Sequence, residues 1–415
     1  MKSLAMHPVL SQFRGPRIEG GPRCAGDLSR EVPAIDATDS NSLAMEIFYS
    51  RRDMVSLAVI ENNRPIGLIN RDIFLSQMSK PFHRELYDKK SCIAFMDKEP
   101  LIVDADMSIE ELTFKTVEVG EKALIDGFIV TREGRFAGVG SGLQLLGTVA
   151  DMQAEKNRQL MQSIEYASVI QQAMLRTSRD ALSTTLPSAA LVWEPRDVVG
   201  GDFYHFAALS DGWFGAVADC TGHGVPGAFM TLLASASLSQ ALEQIGPRDP
   251  AALLAAVNRN VKGLLGQISA EGESPQSNDG LDAAFFWFDA DQQQLSFAGA
   301  RIALHILRPD ADQFESIPGE RMGVGYVDSL ADHVWTLHTV TLPQDSLLFI
   351  STDGLIDQIG GPRKIAFGRR RALDLIREHR TQSPSAICEC LQRALAEWQG
   401  AQTRLDDVTL FFARV

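Results

Sequence analysis

The sequence predicts an α+β protein of two or three domains, on three observations. The chain has 415 residues, more than one ordinary hydrophobic core organises. Its C-terminal half alternates short apolar runs, several ending on Asp or Asp-Gly, with helical stretches. Its N-terminal half carries the same strand–turn–strand–helix pattern twice.

Composition narrows the functional classes. With 45% hydrophobic and 22% charged residues the chain is globular. Lys and Arg number 39 against 53 Asp and Glu, a formal charge of −14. That balance disfavours nucleic-acid binding and suits a protein that holds cations with carboxylates. The five cysteines are scattered and odd in number, so no disulfide framework is expected, and Cys388 and Cys390 read as ordinary helix residues. No apolar run approaches the ~20 residues that span a bilayer. Met1–Leu10 lacks the apolar centre of a signal peptide, and a cytoplasmic location is expected.

Residues 1–34 mix Gly, Pro and Arg without periodicity and read as a loose arm. The repeat occupies residues 36–147. Val59–Ile69 reads as strand, turn, strand, with a helix opening at Ile73, Phe74 and Leu75; Ile129–Val139 repeats this, followed by Leu143, Leu145 and Leu146. Arg64 matches Arg135 and Gly67 matches Gly138. Helical pattern precedes each hairpin at Ser42–Arg52 and Ser108–Val117, and Ser108 with Glu111 has capping-box spacing. The pair resembles a degenerate tandem CBS module with an α/β fold. That resemblance implies an adenosine nucleotide as ligand, or a paired scaffold without one. Asn70 and Asp72 stand one residue out of the usual spacing, and Gln144 after Ser141 replaces an expected Asp.

Residues 143–176 lack proline and read as one long helix, and 148–185 as the linker helix between domains. Leu146, Leu160, Ala167 and Met174 share a seven-residue register interrupted by Gln153, Lys156 and Ser163. A weak coiled coil pairing two chains into a homodimer is expected; the alternative is an amphipathic helix packed on the next domain. Residues 177–188, rich in Ser and Thr, read as a connecting linker.

The segment 190–415 carries the chemistry. Gly200-Gly201 precede Asp202, and an apolar run from Trp213 ends on Asp219. Gly222, Gly224 and Gly227 mark a loop of close approach before a helix opened by Pro226. A second apolar run, Ser346–Thr352, ends on Asp353-Gly354, and Asp406-Asp407 precede the last strand. Such carboxylates converging at strand ends repel unless cations neutralise them. Hard oxygen donors favour Mg²⁺ or Mn²⁺, and eight histidines without a zinc-type pair argue against zinc. Two ions about 3.5–4 Å apart share a bridging water and orient it for in-line attack on phosphorus. Neither a GxSxG elbow nor a Walker A loop offers a rival chemistry.

Val192–Val415 strongly resembles the bacterial PPM phosphatases of the SpoIIE/RsbU-like group, through GGDFY at 200–204, ADCTGHGVPGAFM at 218–230, STDGL at 351–355 and DDVTL at 406–410. The resemblance implies an α-β-β-α sandwich that removes phosphate from Ser or Thr of a partner, often a STAS-like switch protein, without a covalent enzyme intermediate. By position, it implies that Asp219 bridges both ions and the Cys220 carbonyl completes one site. Asp353 and Asp406 then hold the second ion, and Asp202 ligates through water. Asp282 either contributes to a third ion or caps its strand. His223 is either a general acid or a loop hydrogen-bonding residue. Arg196 either grips the substrate phosphate or pairs with Glu194 or Asp197. The group also implies that the linker helix relays the state of the N-terminal module to the metal ligands. Two other readings stay open: a pseudo-phosphatase that only binds a phosphorylated partner, and a phosphatase of small metabolites.

Overall fold

The computed structural model describes residues 21–267 and 277–415. The chain divides into two compact units, Met1–Leu160 and Met161–Val415. In the first unit the elements are β1 (Ser29–Arg30), β2 (Ile35–Asp36), α1 (Asn41–Ser50), β3 (Ser56–Glu61), β4 (Arg64–Asn70), α2 (Arg71–Met78) and α3 (His83–Tyr87). There follow β5 (Ile102–Asp104), α4 (Ile109–Val119), α5 (Glu121–Asp126), β6 (Phe128–Arg132) and β7 (Arg135–Gly140).

The internal repeat is present in the backbone. β2 pairs parallel with β3, which turns antiparallel into β4; β5, β6 and β7 do the same. Both hairpins slip register at one place, Val59/Ile60 and Val130/Thr131. Their turns put Asn62-Asn63 and Glu133-Gly134 in the left-handed region, the geometry that matches the twist of a two-residue hairpin. As the spacing predicted, the Ser108 hydroxyl caps α4 by accepting from the Glu111 amide.

The expectation of a loose arm over 1–34 needs correction. Residues 1–20 lie outside the described residues. Beyond them Ala25 and Leu28 are fully buried, and β1 pairs antiparallel with β7. Flanking Gly, Pro and Arg hide two apolar side chains, Ala25 and Leu28, that enter the core of this unit.

A single helix, α6 (Gly142–Thr185), follows. Residues 177–185, expected as a linker, are its last turns. Ser168, Gln171, Leu175, Ser178 and Leu182 form one buried stripe at steps of three and four, which carries the helix past its Ser/Thr-rich end. The predicted seam runs beside that stripe: Ala167 and Met174 flank it half-buried, while Leu146 and Leu160 are 50% and 56% exposed.

The second unit continues with β8 (Ala189–Glu194), β9 (Asp202–Leu209), β10 (Gly212–Cys220), α7 (Gly224–Ile245), α8 (Pro250–Leu264), β11 (Leu281–Asp289), β12 (Gln294–Ala300), β13 (Leu304–Leu307) and β14 (Glu315–Ile317). Then come β15 (His338–Thr341), β16 (Leu347–Ser351), α9 (Asp353–Asp357), β17 (Ile359–Gly360), β18 (Ile365–Ala366), α10 (Arg369–Glu378), α11 (Pro384–Gln399) and β19 (Val408–Arg414). Two antiparallel five-stranded sheets, β15-β12-β11-β10-β9 and β14-β13-β16-β19-β8, face each other. Helices α7 and α8 cover the first, and α10 and α11 the second. This is the expected α-β-β-α sandwich. Its central strands are apolar on both faces because one face meets the other sheet and the opposite face meets helices.

Between the sheets Trp213, Phe286 and Phe411 form an aromatic triangle with ring centroids 5.2–6.2 Å apart. Cys388 is on the buried face of α11 and Cys390, on the same helix, is half-buried; none of the five cysteines is paired. Among the described residues α7 is the one helix long and apolar enough to cross a membrane, and its Ala234, Leu238 and Ala241 pack into the core beneath the first sheet.

Phe411→Ala removes the ring that joins the two sheets. A loss of about 3–5 kcal/mol is predicted in urea unfolding of the full chain; a loss below about 1 kcal/mol would show that the triangle does not hold the sheets together.

Candidate metal centre

The inward positions of the inter-sheet core lead directly to the acids. On β10 the residues Trp213 and Val217 face that core, and on β11 Ala284, Phe286 and Phe288 do. At period two the next positions on the same face are Asp219 and Asp282. Asp202, Asp219 and Asp282 stand directly opposite one another across β9, β10 and β11. In the second sheet the inward series Leu348, Ile350 and Ala413, Phe411 continue to Thr352 and Thr409. Asp353 then opens α9, and Asp406-Asp407 lead into β19.

Hydrogen bonds lock these ends together. The hydroxyls of Thr352 and Thr409 both donate to Asp202 Oδ2, at 2.8 and 2.7 Å, and join the two sheets through one buried carboxylate. Asp407 accepts from the backbone amides of Arg196 (2.5 Å) and Gly201 (2.6 Å) and so fixes the turn before Asp202. The Thr231 hydroxyl lies within hydrogen-bond reach of the carbonyls of Gly200, Gly201 and Gly227. Glycine is required at 201, where a Cβ would collide with the carbonyls of Gly222 and Cys220, and at 354, where it would strike the carbonyl of Asp407. From α6, the Gln171 side chain donates to the Gly200 carbonyl (2.7 Å) and accepts from its amide (3.2 Å).

The electrostatics are those of crowded acids, with Arg301 beside Asp282 as a counter-charge. Burial, then the charges of Asp202, Asp353, Asp406 and Asp282, push the Asp219 carboxyl well above the carboxylate range; it is the one acid that faces all four others. Burial likewise raises Asp202 to about 8, against the opposing hydroxyl of Thr409 and with the charge of Asp407 adding to it. Asp353 is raised by burial and by Asp406, while a hydrogen bond with Asp219 opposes the shift. Asp282 is raised to about 6 by burial, partly offset by Arg301.

The donor set fits divalent cations. It consists of hard oxygens, and Asp202 Oδ1 is buried without a hydrogen-bond partner, so a cation or its water would satisfy it. Among the described residues no three His, Cys, Asp or Glu side chains are already gathered in a coordinating group. Mg²⁺ keeps several waters and takes one or two carboxylates per ion, so such a centre does not require three.

A cavity of about 60 Å³ opens beside Asp219, Asp282 and Asp353, and its other walls include Arg301, His305 and Arg369. Arg301 lies 3.3 Å from Asp282 and stacks over Tyr326, whose hydroxyl also donates to Asp282. Of the residues singled out from the sequence, Asp202, Cys220, Asp406, His223 and Arg196 are not among its walls, and the last two are held elsewhere. His223 Nδ1 meets Asp197 at 2.9 Å in the loop before α7. Arg196 reaches the Leu405 carbonyl at 3.0 Å; Glu194 pairs instead with Arg404. The sequence assigns Asp407 no role beyond preceding the last strand, and Thr352, Thr409, Gln171, Arg301 and Arg369 none at the site. Only the two threonines left a signal in it, as period-two continuations of apolar strands.

Residues 210–415 match the family model for stage II sporulation protein E (SpoIIE). Among solved structures the chain is similar to the SiaA-PP2C domain of Pseudomonas aeruginosa, at 36% identity and a TM-score of 0.56, over 63% of this chain and 99% of that one. It also matches the PP2C phosphatase domain, with a regulatory fragment, of SpoIIE from Bacillus subtilis, at 17% identity and a TM-score of 0.44, over 55% and 62%. RsbX in complex with magnesium matches at 18% identity and a TM-score of 0.37, over 55% and 92%. No curated protein matches the chain significantly.

A carboxyl raised on folding contributes stability at pH below its unfolded value, near 4, and loses it as pH rises through its folded value. With Asp282 at about 6 and Asp202 at about 8, the chelator-treated chain is predicted to melt at progressively lower temperature from about pH 5.5 to about pH 8.5. Mn²⁺ added at the upper end should restore the melting temperature. A flat profile, or no response to Mn²⁺, would contradict the crowding.

Proposed function

Because the chain belongs to the SpoIIE family of PP2C-type serine/threonine phosphatases, we propose that residues 190–415 remove phosphate from phosphoserine or phosphothreonine of a partner regulatory protein, a STAS-like switch protein, in the cytoplasm. Asp219, Asp353, Asp406, Asp202 and the Cys220 carbonyl would hold two Mg²⁺ or Mn²⁺ ions. The observation that carries this is the position of Asp219, central among four other aspartates whose charges it feels. The ions, when bound, supply Lewis acidity toward water and the phosphoryl oxygens.

The chain's own residues orient and neutralise. Asp202 is fixed by Thr352 and Thr409, which leaves Oδ1 as its free donor. Arg301 and Arg369, on the cavity wall, face the outer phosphoryl oxygens in this scheme; the position of Arg196 favours a loop-bracing role instead. The Asp197 partner of His223 favours a structural hydrogen bond over general-acid work. Arg301 and Tyr326 engage Asp282, so a third ion there would compete with them.

Regulation follows the same geometry. Gln171 offers α6 a direct grip on Gly200, two residues before Asp202, and through it the helix relays the state of the N-terminal module. A cavity of about 310 Å³ in that module, with Arg30, Asp53, Ser56, Asp126 and Gln144 among its walls, is the place for an adenosine nucleotide in a CBS-like pair. The exposed Leu146 and Leu160 on α6 supply the seam of a homodimer.

Two measurements test this. Mn²⁺-dependent hydrolysis of p-nitrophenyl phosphate should fall about 100-fold or more in Asp219→Ala and in Asp353→Ala; rates equal to the parent chain would overturn the mechanism. Gln171→Leu should lower turnover about tenfold, and deletion of residues 1–145 should change it markedly, while Mn²⁺ affinity stays measurable. Unchanged turnover in both would refute the relay.

A further inference from the structure

An acidic chain of net charge −14 concentrates cations next to its catalytic cavity. From Arg363 to Arg380, seven residues are cationic and two, Asp374 and Glu378, are anionic. Three of the seven have fixed structural partners: Arg371 stacks over Trp398 and donates to the Phe367 carbonyl, Arg380 donates to the Ala311 carbonyl, and Arg377 pairs with Asp374 at 3.0 Å. Others are left available. Among the described residues the exposed side chains of Arg363, Lys364 and Arg369 make no hydrogen bond or ion pair. Arg370 is 97% exposed and stands 3.7 Å from Asp374. Three arginines and no acid in the first turn of α10 oppose the helix dipole, so the cluster needs a reason.

The cluster borders a groove of about 560 Å³ walled by Phe314, Ser316, Arg369, Arg370, Leu373 and Arg377, with Asp374 the one acid on its wall. Arg369 belongs to this groove and also to the cavity beside Asp219 and Asp353, so the two adjoin. His305 in the cavity hydrogen-bonds Ser316 in the groove at 2.7 Å. We propose that this groove docks the acidic stretch of polypeptide flanking the phosphorylated residue of the substrate protein. The inference rests on the phosphatase reading above and names the chemistry of its substrate. Guanidinium forks pair bidentately with Asp and Glu side chains, and Phe314 and Leu373 offer apolar contact to the intervening residues. The cationic cluster attracts an acidic partner that the chain's net negative charge otherwise repels.

The test uses the full chain with Mn²⁺ and two phosphothreonine peptides of equal length, one flanked by Glu and one by Lys. At low salt kcat/KM for the Glu peptide should exceed that for the Lys peptide at least tenfold, and the gap should close as salt rises. The double variant Arg370→Glu/Arg377→Glu should abolish or invert the preference with p-nitrophenyl phosphate turnover unchanged; Arg370→Gln/Arg377→Gln replaces it if the reversal does not fold. No preference in the parent chain, or the same preference in the variant, overturns the docking groove. Loss of all turnover in the parent chain is instead a failure of the phosphatase reading. Docking is then read by fluorescence anisotropy of the labelled Glu peptide: tighter binding to the parent chain than to the variant supports it, and equal or absent binding overturns it.

Discussion

Five carboxylates crowd the mouth of an apolar core, and the second unit is organised around that electrostatic load. Asp219 and Asp282 occupy the same strand faces that bury Trp213, Val217 and Phe286 a few residues away. Asp202, Asp353 and Asp406 approach from neighbouring strand ends, and their charges all act on Asp219. A buried carboxylate without a counter-charge is costly, and each added neighbour raises the cost. Protons or cations on the acids relieve that cost.

The surrounding residues make sense as supports for that load. Thr352 and Thr409 anchor Asp202 from the opposite sheet, Asp407 binds the turn before it, and the glycines at 201 and 354 let backbone pass where a side chain would collide. This tightness also gives α6 its leverage. Gln171 makes two hydrogen bonds to Gly200, and losing buried hydrogen bonds costs about 1–3 kcal/mol each. That is the size of a typical coupling energy between sites, about 5–150-fold in an equilibrium. The relay proposed above rests on these two hydrogen bonds.

Much of this was legible in the sequence, for identifiable reasons. The sandwich and the four aspartates lie in local motifs whose glycines and apolar runs are visible residue by residue. The hairpin repeat was visible because turn residues such as Asn62-Asn63 and Glu133-Gly134 mark its tips. The rest depends on long-range packing. Ala25 and Leu28 look unremarkable among Gly, Pro and Arg until β1 meets β7. The last turns of α6 look like a Ser/Thr-rich linker until Ser178 and Leu182 are buried. Arg196 and His223 stand near the motifs in sequence, yet Leu405 and Asp197 draw them away from the cavity. Arg301 and Arg369, distant in sequence, are the arginines that line it.

The central claim is that these crowded acids exist to take up divalent cations. Mn²⁺ titration by isothermal calorimetry, repeated near neutral pH in buffers of different ionisation enthalpy, reads both the number of ions and the protons released. The account predicts about two ions per chain with net proton release, because Asp202 and Asp219 give up protons held by crowding, and it predicts that Asp219→Asn loses most of both. Absence of binding, or binding without proton release that Asp219→Asn leaves intact, would contradict it.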